Sequence, residues 1–216
     1  MRFQAVIFDL DGTLVDSLAD LGESMNLVLA QLGLPGHPLD AYRHFVGEGL
    51  RVLAARALPE QMRSDEMIDR ATTLMLEIYS QRLLVHTRPY AGIRELLEGL
   101  EASGLKLAVL SNKMDGPTQK ITTGLLADCP FAAVFGSRPG VPKKPSPTGA
   151  LEIAERLGVP PECFLYLGDT AIDMQTAAAA GMFSIGVLWG FRPAGELIRG
   201  GAKMLLSHPT HLLPFL

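Results

Sequence analysis

Ala5-Val6-Ile7-Phe8-Asp9-Leu10-Asp11-Gly12-Thr13-Leu14 is the stretch whose reading decides the fold. Its first four residues are apolar without alternation, and the run ends at two aspartates two positions apart. Such a run, bounded by turn residues, predicts a strand over 5–8 covered on both faces, as in a parallel sheet. Ligands of such sheets gather outside the carboxyl ends of the strands. Asp9 is therefore expected at a strand end, with Asp11 on the loop beyond it. Gly12 opens backbone conformations that other residues resist, and Thr13 adds a hydroxyl and an amide. Two carboxylates this close repel unless a cation, a basic side chain or a shared proton compensates them. A metal site is the most direct resolution.

The bulk properties narrow the field. A chain of 216 residues suffices for one large domain or a core with a smaller insert. A net charge of -4 and a pI near 5.7 argue against a nucleic-acid partner, which calls for a basic excess. No apolar run nears the roughly 18 residues of a membrane span, so no membrane partner is expected. Met1-Arg2 leads straight into the first strand without room for a signal peptide, and a cytoplasmic location is expected. Cys129 and Cys163 lack metal-ligand spacing and lie in apolar surroundings, so buried free thiols are expected.

From 16 to 86 the pattern is helical throughout. Ser17-Leu18-Ala19-Asp20 has the form of a capping box. Leu18, Leu21, Met25, Val28 and Leu32 then share one face up to Gly33. Short helices are expected near 40–45 and over 50–58, with Pro59 ending the second. A longer amphipathic helix is expected from Glu60 to about Leu84, with Met67, Ala71, Leu74, Met75 and Ile78 inward. After 86 the pattern alternates. Helices are expected over 93–103, 118–126, 147–157 and 174–180, and strands over 105–110, 131–135, 164–167 and 184–188, the last of them closing the sheet. This alternation predicts a doubly wound, Rossmann-like α/β core with an all-helical insert. The core would take residues 1–15 and 87–216, and the insert 16–86.

Three further strand ends carry groups suited to phosphate and metal. Ser111 follows the second core strand, where a hydroxyl and backbone amides can hold phosphoryl oxygens. Lys144 precedes Pro145-Ser146-Pro147 and a helix, where a cation neutralises phosphate and carboxylates together. Gly168-Asp169-Thr170, with Asp173 four residues past Asp169, adds two carboxylates. Oxygen donors of this kind suit Mg²⁺.

The order Asp9/Asp11, Ser111, Lys144, Asp169 with Asp173 resembles the four motifs of the haloacid dehalogenase-like superfamily, over essentially the whole chain. The resemblance implies a phosphomonoester hydrolase in which Asp9 is the nucleophile, forming an aspartyl-phosphate. Asp11 would act as general acid and then base. Asp9, the main-chain carbonyl of Asp11 and Asp169 would hold Mg²⁺, supported by Asp173. Ser111, Asn112 and Lys144 would bind the phosphoryl group, Lys144 also orienting Asp9. The helical insert resembles the cap of phosphoglycolate phosphatases, through Phe45-Val46-Gly47-Glu48-Gly49, Leu53 and Arg56-Ala57-Leu58. Ser111-Asn112-Lys113 and Val187-Leu188-Trp189-Gly190-Phe191 fit that subfamily also. It implies a substrate role for cap residues such as Gly47, Glu48, Arg43 and Arg51, the arginines meeting a substrate carboxylate. The expected partner is a small phosphorylated metabolite, and the expected assembly a monomer or homodimer. Rivals within the resemblance are a sugar-phosphate phosphatase, a β-phosphoglucomutase-like phosphomutase and a pyrophosphatase. A non-catalytic phosphometabolite-binding protein is the rival from another class. Dehalogenation is disfavoured, because Asp11 holds the place of an acid/base that it does not need. Trp189 is expected as an anchor rather than a stacking platform, and the C-terminal His208 and His211 as part of a final turn.

Overall fold

The computed structural model describes residues 3–215. Met1-Arg2, read above as leading into the first strand, lies outside them. The described chain forms two compact units. One comprises residues up to Asp16 together with those from Pro89 onward, and the other is Ser17–Arg88.

The first unit is built on β1 (Ala5–Phe8), whose four residues are all completely buried. Ala5 and Ile7 enter an apolar cluster with Ala108, Leu110, Phe164 and Tyr166. Val6 and Phe8, alternating with them, point to the opposite face. Burial of such side chains is worth about 1.5–3 kcal/mol each, which explains the unalternating run. After the short β2 (Val15–Asp16) and β3 (Arg88–Pro89), which form their own two-stranded sheet, come β4 (Lys106–Met114) and β5 (Phe131–Ser137). They are followed by β6 (Phe164–Gly168), β7 (Phe183–Val187) and β8 (Met204–Leu206). The main sheet has six parallel strands in the order β5-β4-β1-β6-β7-β8. The chain winds outward from β1 through β4 and β5, then returns to β1's other side with β6. The carboxyl ends of β1 and β6 therefore flank the switch point where such sheets bind ligands.

The second unit holds α1 (Leu18–Gln31), α2 (Tyr42–Phe45), α3 (Leu50–Ala57) and α4 (Asp65–Ser80), with α1 and α3 packed on α4. Asn26 clamps the loop after α1: its Oδ1 accepts from His37 N at 2.8 Å and from Tyr42 Oη at 2.7 Å, and its Nδ2 donates to His37 O. The expected capping box at Ser17 does not form, because Ser17 makes no side-chain cap bond. The Asp20 carboxylate is taken instead by the His86 N–H and by the Thr87 N–H and hydroxyl, at 2.7–3.0 Å. The long helix also differs from expectation. It starts at Asp65, where Ser64 caps it through Met67 N, after a separate turn at Glu60–Met62. Its buried residues are Ile68, Ala71, Met75 and Tyr79: Ala71 and Met75 lie inward as expected, whereas Met67, Leu74 and Ile78 are only half-buried, with Ile68 and Tyr79 completing the inner face.

Helices α5 (Ile93–Ala102), α6 (Asp115–Leu125), α7 (Thr148–Leu157), α8 (Ala171–Ala179) and α9 (Ala194–Gly200) surround the main sheet. Strand β4 continues past Leu110 to Met114, with an irregularity in its pairing with β5. Ser111 thus lies within the strand rather than beyond it. The sheet does not end at β7, since the three-residue β8 adds an edge. The cysteines are free but only partly buried.

Candidate active site

The candidate site within the first unit gathers at the carboxyl-end side of the sheet. Asp9 and Asp169 directly follow β1 and β6, Ser111 to Lys113 lie in the last part of β4, Lys144 is on the loop before α7, and Asp173 is in the first turn of α8. Asp9 follows β1, is 7 % exposed, and is pinned by its N–H to the Leu167 carbonyl of β6 at 2.9 Å. Lys144 reaches it from the loop before α7, with Nζ 2.8 Å from Asp9 Oδ1 and 2.7 Å from Asp173 Oδ1. The Lys144 main chain is held in turn by Asn112, whose Oδ1 accepts from Lys144 N at 2.9 Å and whose Nδ2 donates to Lys144 O at 3.1 Å. The Asn112 side chain, expected at the phosphate, is thus engaged in positioning the lysine.

Asp169 directly follows β6 with no exposure, and its Oδ2 accepts from Phe191 N at 2.8 Å. Thr13 Oγ1 approaches its Oδ1 at 3.4 Å. Two glycines make room for that carboxylate. A Cβ on Gly190 would lie 2.3 Å from Asp169 Cβ and 2.4 Å from Gly12 O, and Gly12, at φ +85°, would meet Asp169 Oδ2 at 2.3 Å. The Trp189 indole donates to Thr13 O at 2.9 Å and anchors the same loop. Asp173 is the third residue of α8 and closes a capping box there. The Thr170 Oγ1 accepts from Asp173 N, and Asp173 Oδ2 accepts from Thr170 N and Oγ1. One carboxylate thus caps a helix and engages Lys144.

Asp9, Asp169 and Asp173 form a buried cluster with one oxygen of each within 4.8 Å of the others. Burial first, then Asp173 and Asp11, push Asp9 up to about 7 against the pull of Lys144. Burial and the charges of Asp173 and Asp9 hold Asp169 well above the usual carboxylate range. Burial opposes charge on Lys144, yet Asp173 and Asp9 together carry it well above its ordinary value. Three carboxylates with one lysine are short of positive charge. An all-oxygen donor set with that deficit fits a hard divalent cation.

Ser111, 4 % exposed, accepts from Lys113 N through Oγ at 3.2 Å, which leaves the hydroxyl proton available to donate. Asp11 is approached by a lysine that the sequence reading left without a role. Lys113 Nζ lies 2.9 and 2.8 Å from the two Asp11 oxygens. Its only signal in the sequence is its place two residues after Ser111. Thr170 and the Phe191 amide were also missed, the first because an N-cap threonine beside an aspartate is common, the second because a main-chain donor has no side-chain signature.

Gly47, Glu48, Arg43 and Arg51 all belong to the helical unit. There Glu48 is paired with Arg56, Arg43 with Asp40, and Arg51 with Asp65 and Asp69.

A model of the haloacid dehalogenase-like hydrolases matches residues 6–187, and the chain belongs to that family. It is a hydrolase of the family's phosphatase kind. A phosphoglycolate phosphatase of Aquifex aeolicus (strain VF5) is 34% identical over 210 residues, 97% of this chain and 95% of that one. A phosphoglycolate phosphatase of Colwellia psychrerythraea is 35% identical over 215 residues, again 97% and 95% of the two chains. A solved structure from Lactobacillus delbrueckii subsp. bulgaricus superposes with a TM-score of 0.94 at 30% identity, covering 100% of this chain and 98% of that one. No described helix is long and apolar enough to cross a membrane.

Proposed function

We propose that this chain is a Mg²⁺-dependent phosphomonoesterase that works through an aspartyl-phosphate on Asp9, with 2-phosphoglycolate as its substrate. The observation that carries the reading is Lys144 Nζ, bridging Asp9 and Asp173 inside a buried cluster of three carboxylates. An anionic nucleophile meets an anionic phosphate only where cations screen the repulsion. Asp9, Asp169 and the main-chain carbonyl of Asp11 would hold the Mg²⁺, with Asp173 in support; when bound, it supplies charge neutralisation for the phosphoryl oxygens.

An Asp9 oxygen attacks phosphorus, and the bond from phosphorus to the ester oxygen breaks. Asp11, taking up a proton that arrives with the monoanionic ester, gives it to that departing oxygen. Water then attacks the acyl phosphate, Asp11 takes the water's proton, and inorganic phosphate leaves with Asp9 restored. The Ser111 hydroxyl, the Asn112 main chain and Lys144 hold the phosphoryl oxygens throughout. The helical unit, residues 16–86 in the sequence reading, has the role of a cap that selects the leaving group. The names of the curated relatives support 2-phosphoglycolate over a sugar phosphate. The cytoplasm is the proposed location.

The test is phosphate release with and without Mg²⁺ from 2-phosphoglycolate, sugar phosphates and pyrophosphate, with Asp9→Asn alongside. Preference for 2-phosphoglycolate, lost in Asp9→Asn, is expected. Preference for a sugar phosphate or pyrophosphate would keep the chemistry and discard the substrate. Phosphoryl return to a sugar would favour a mutase, and tight phosphate binding without turnover a binding protein.

A further inference from the structure

Asp11 is two residues from Asp9, yet the acidic cluster comprises Asp9, Asp169 and Asp173 without it. What stands beside the Asp11 carboxylate is Lys113, with Nζ within hydrogen-bond distance of both oxygens. The two side chains are 12 % and 4 % exposed, respectively. Asp11 lies on the loop just beyond β1 and Lys113 near the end of β4, strands that are neighbours in the sheet, although the two residues are 102 positions apart in the chain.

The lysine's main chain is fixed on several sides. Its N–H donates to Ser111 Oγ at 3.2 Å, and its carbonyl accepts from Thr118 Oγ1 at 3.3 Å. Its carbonyl also runs so close to Gly136 that a Cβ there would lie 2.8 Å from it. A buried ion pair is weak evidence for a stabilising role, because desolvation offsets the attraction. This one sits where a flexible carboxylate would otherwise be drawn to the same cation as its three neighbours. A two-point ion pair fixes both carboxylate oxygens, and so fixes the rotamer.

We propose that Lys113 is a positioning residue for Asp11: it holds the Asp11 carboxylate apart from the Asp9–Asp169–Asp173 cluster, ready for proton transfer with the ester oxygen and with water. Lys113 does not touch substrate in this account. It acts through Asp11, and the proposal rests on the reading of Asp11 as the acid/base.

Leaving-group dependence separates this role from a structural one. An alkyl leaving group needs a proton to depart, whereas p-nitrophenolate leaves as the anion. The experiment measures kcat/KM with Mg²⁺, which covers the steps up to departure of the leaving group and not the later hydrolysis of the common aspartyl-phosphate, for the best alkyl phosphate of the panel and for p-nitrophenyl phosphate, in the parent, Lys113→Met, Lys113→Arg and Asp11→Asn. A displaced general acid costs on the order of 10²-fold on the alkyl ester. Lys113→Met is expected to lose about that on the alkyl ester and less than about threefold on the aryl ester. Lys113→Arg, which keeps the cation, is expected to recover part of the alkyl rate. Equal losses on both esters in Lys113→Met and in Lys113→Arg, or no loss on either, would overturn the proposal. If Lys113→Met does not fold, the alkyl-selective loss in Lys113→Arg decides alone. Should Asp11→Asn itself lack the skew, the acid/base reading of Asp11 falls first. A skew in Asp11→Asn without one in the Lys113 variants overturns the Lys113 proposal only.

Discussion

Stripping divalent cations and raising the pH should unfold this protein more easily, and the sign follows from the acidic cluster. Folded, Asp9 titrates at about 7 rather than its ordinary 3.8, because it is buried beside other carboxylates. The folded chain therefore holds a proton that the unfolded chain has already lost between those values. Stability from that proton is complete below about pH 4 and is lost as pH rises through about 7. At 1.36 kcal/mol per pH unit, the full span is at most about 4 kcal/mol, of which about 2 kcal/mol falls between pH 5.5 and 7. Asp169 shifts in the same direction and steepens the fall. Lys144, carried above its ordinary value, stays charged in both states across this window and leaves the sign unchanged. Glu152 and Asp128, held low by Arg138 and Arg94, titrate below it. Against a total stability of about 5–15 kcal/mol, 2 kcal/mol is easily measured. The assay is urea unfolding at pH 5.5, 6.5, 7.5 and 8.5, in EDTA and in Mg²⁺. In EDTA the midpoint should fall with pH; Mg²⁺ should restore it most at pH 8.5, where its charge replaces the lost protons. Asp9→Asn, neutral at every pH, should flatten the EDTA slope. Stability in EDTA that is flat or rising from pH 5.5 to 8, or a Mg²⁺ effect equal at both ends, would refute the reasoning.

Three further outcomes follow from the geometry. Gly190→Ala puts a methyl against Asp169 and Gly12 O, so a stability loss of about 1–3 kcal/mol in urea unfolding and a kcat loss on the order of 10²-fold are expected. Asn112→Ala removes both hydrogen bonds to the Lys144 main chain and should cost about 1–3 kcal/mol while raising KM for the phosphate ester, read by unfolding and steady-state kinetics. Asp20→Ala leaves the donors of His86 and Thr87 without their buried acceptor, and calorimetry should report a lowered melting temperature and about 2–4 kcal/mol of lost stability, with Asp20→Asn milder.

The fold was legible where burial writes itself into consecutive residues. β1, β4 and β6 are covered on both faces and read as apolar runs, and Ile93, Leu96, Leu97 and Leu100 of α5 are all buried at helical spacing. β8 was not legible, because three residues at a sheet edge make no pattern. The capping box at Ser17 failed for a long-range reason: Asp20 has better donors in residues 66 and 67 positions away, which local spacing cannot foresee. The start of α4 turned on Ser64, one serine among polar neighbours. In the site, each side chain that follows a strand announced itself by that context. Asn112 was expected in the site but its hold on the Lys144 main chain was not legible, nor was the pairing of Lys113 with Asp11, since those partners are a main chain and an aspartate that only the fold brings near.

The charges of the site divide in a way that the individual motifs do not reveal. Asp9, Asp169 and Asp173 face one lysine, Lys144, and with all carboxylates ionised that group carries two negative charges in excess. Asp11 and Lys113 balance each other. One part is built with a deficit that a divalent cation fills, and the other is neutral without it. A phosphate dianion would add two further negative charges beside the first group, so affinity for phosphate and for the cation must rise together. The neutral pair contributes little to that coupling. Replacing an aspartate of the first group should therefore weaken cation and phosphate binding in parallel, whereas replacing Lys113 should alter the proton-transfer step far more than either affinity.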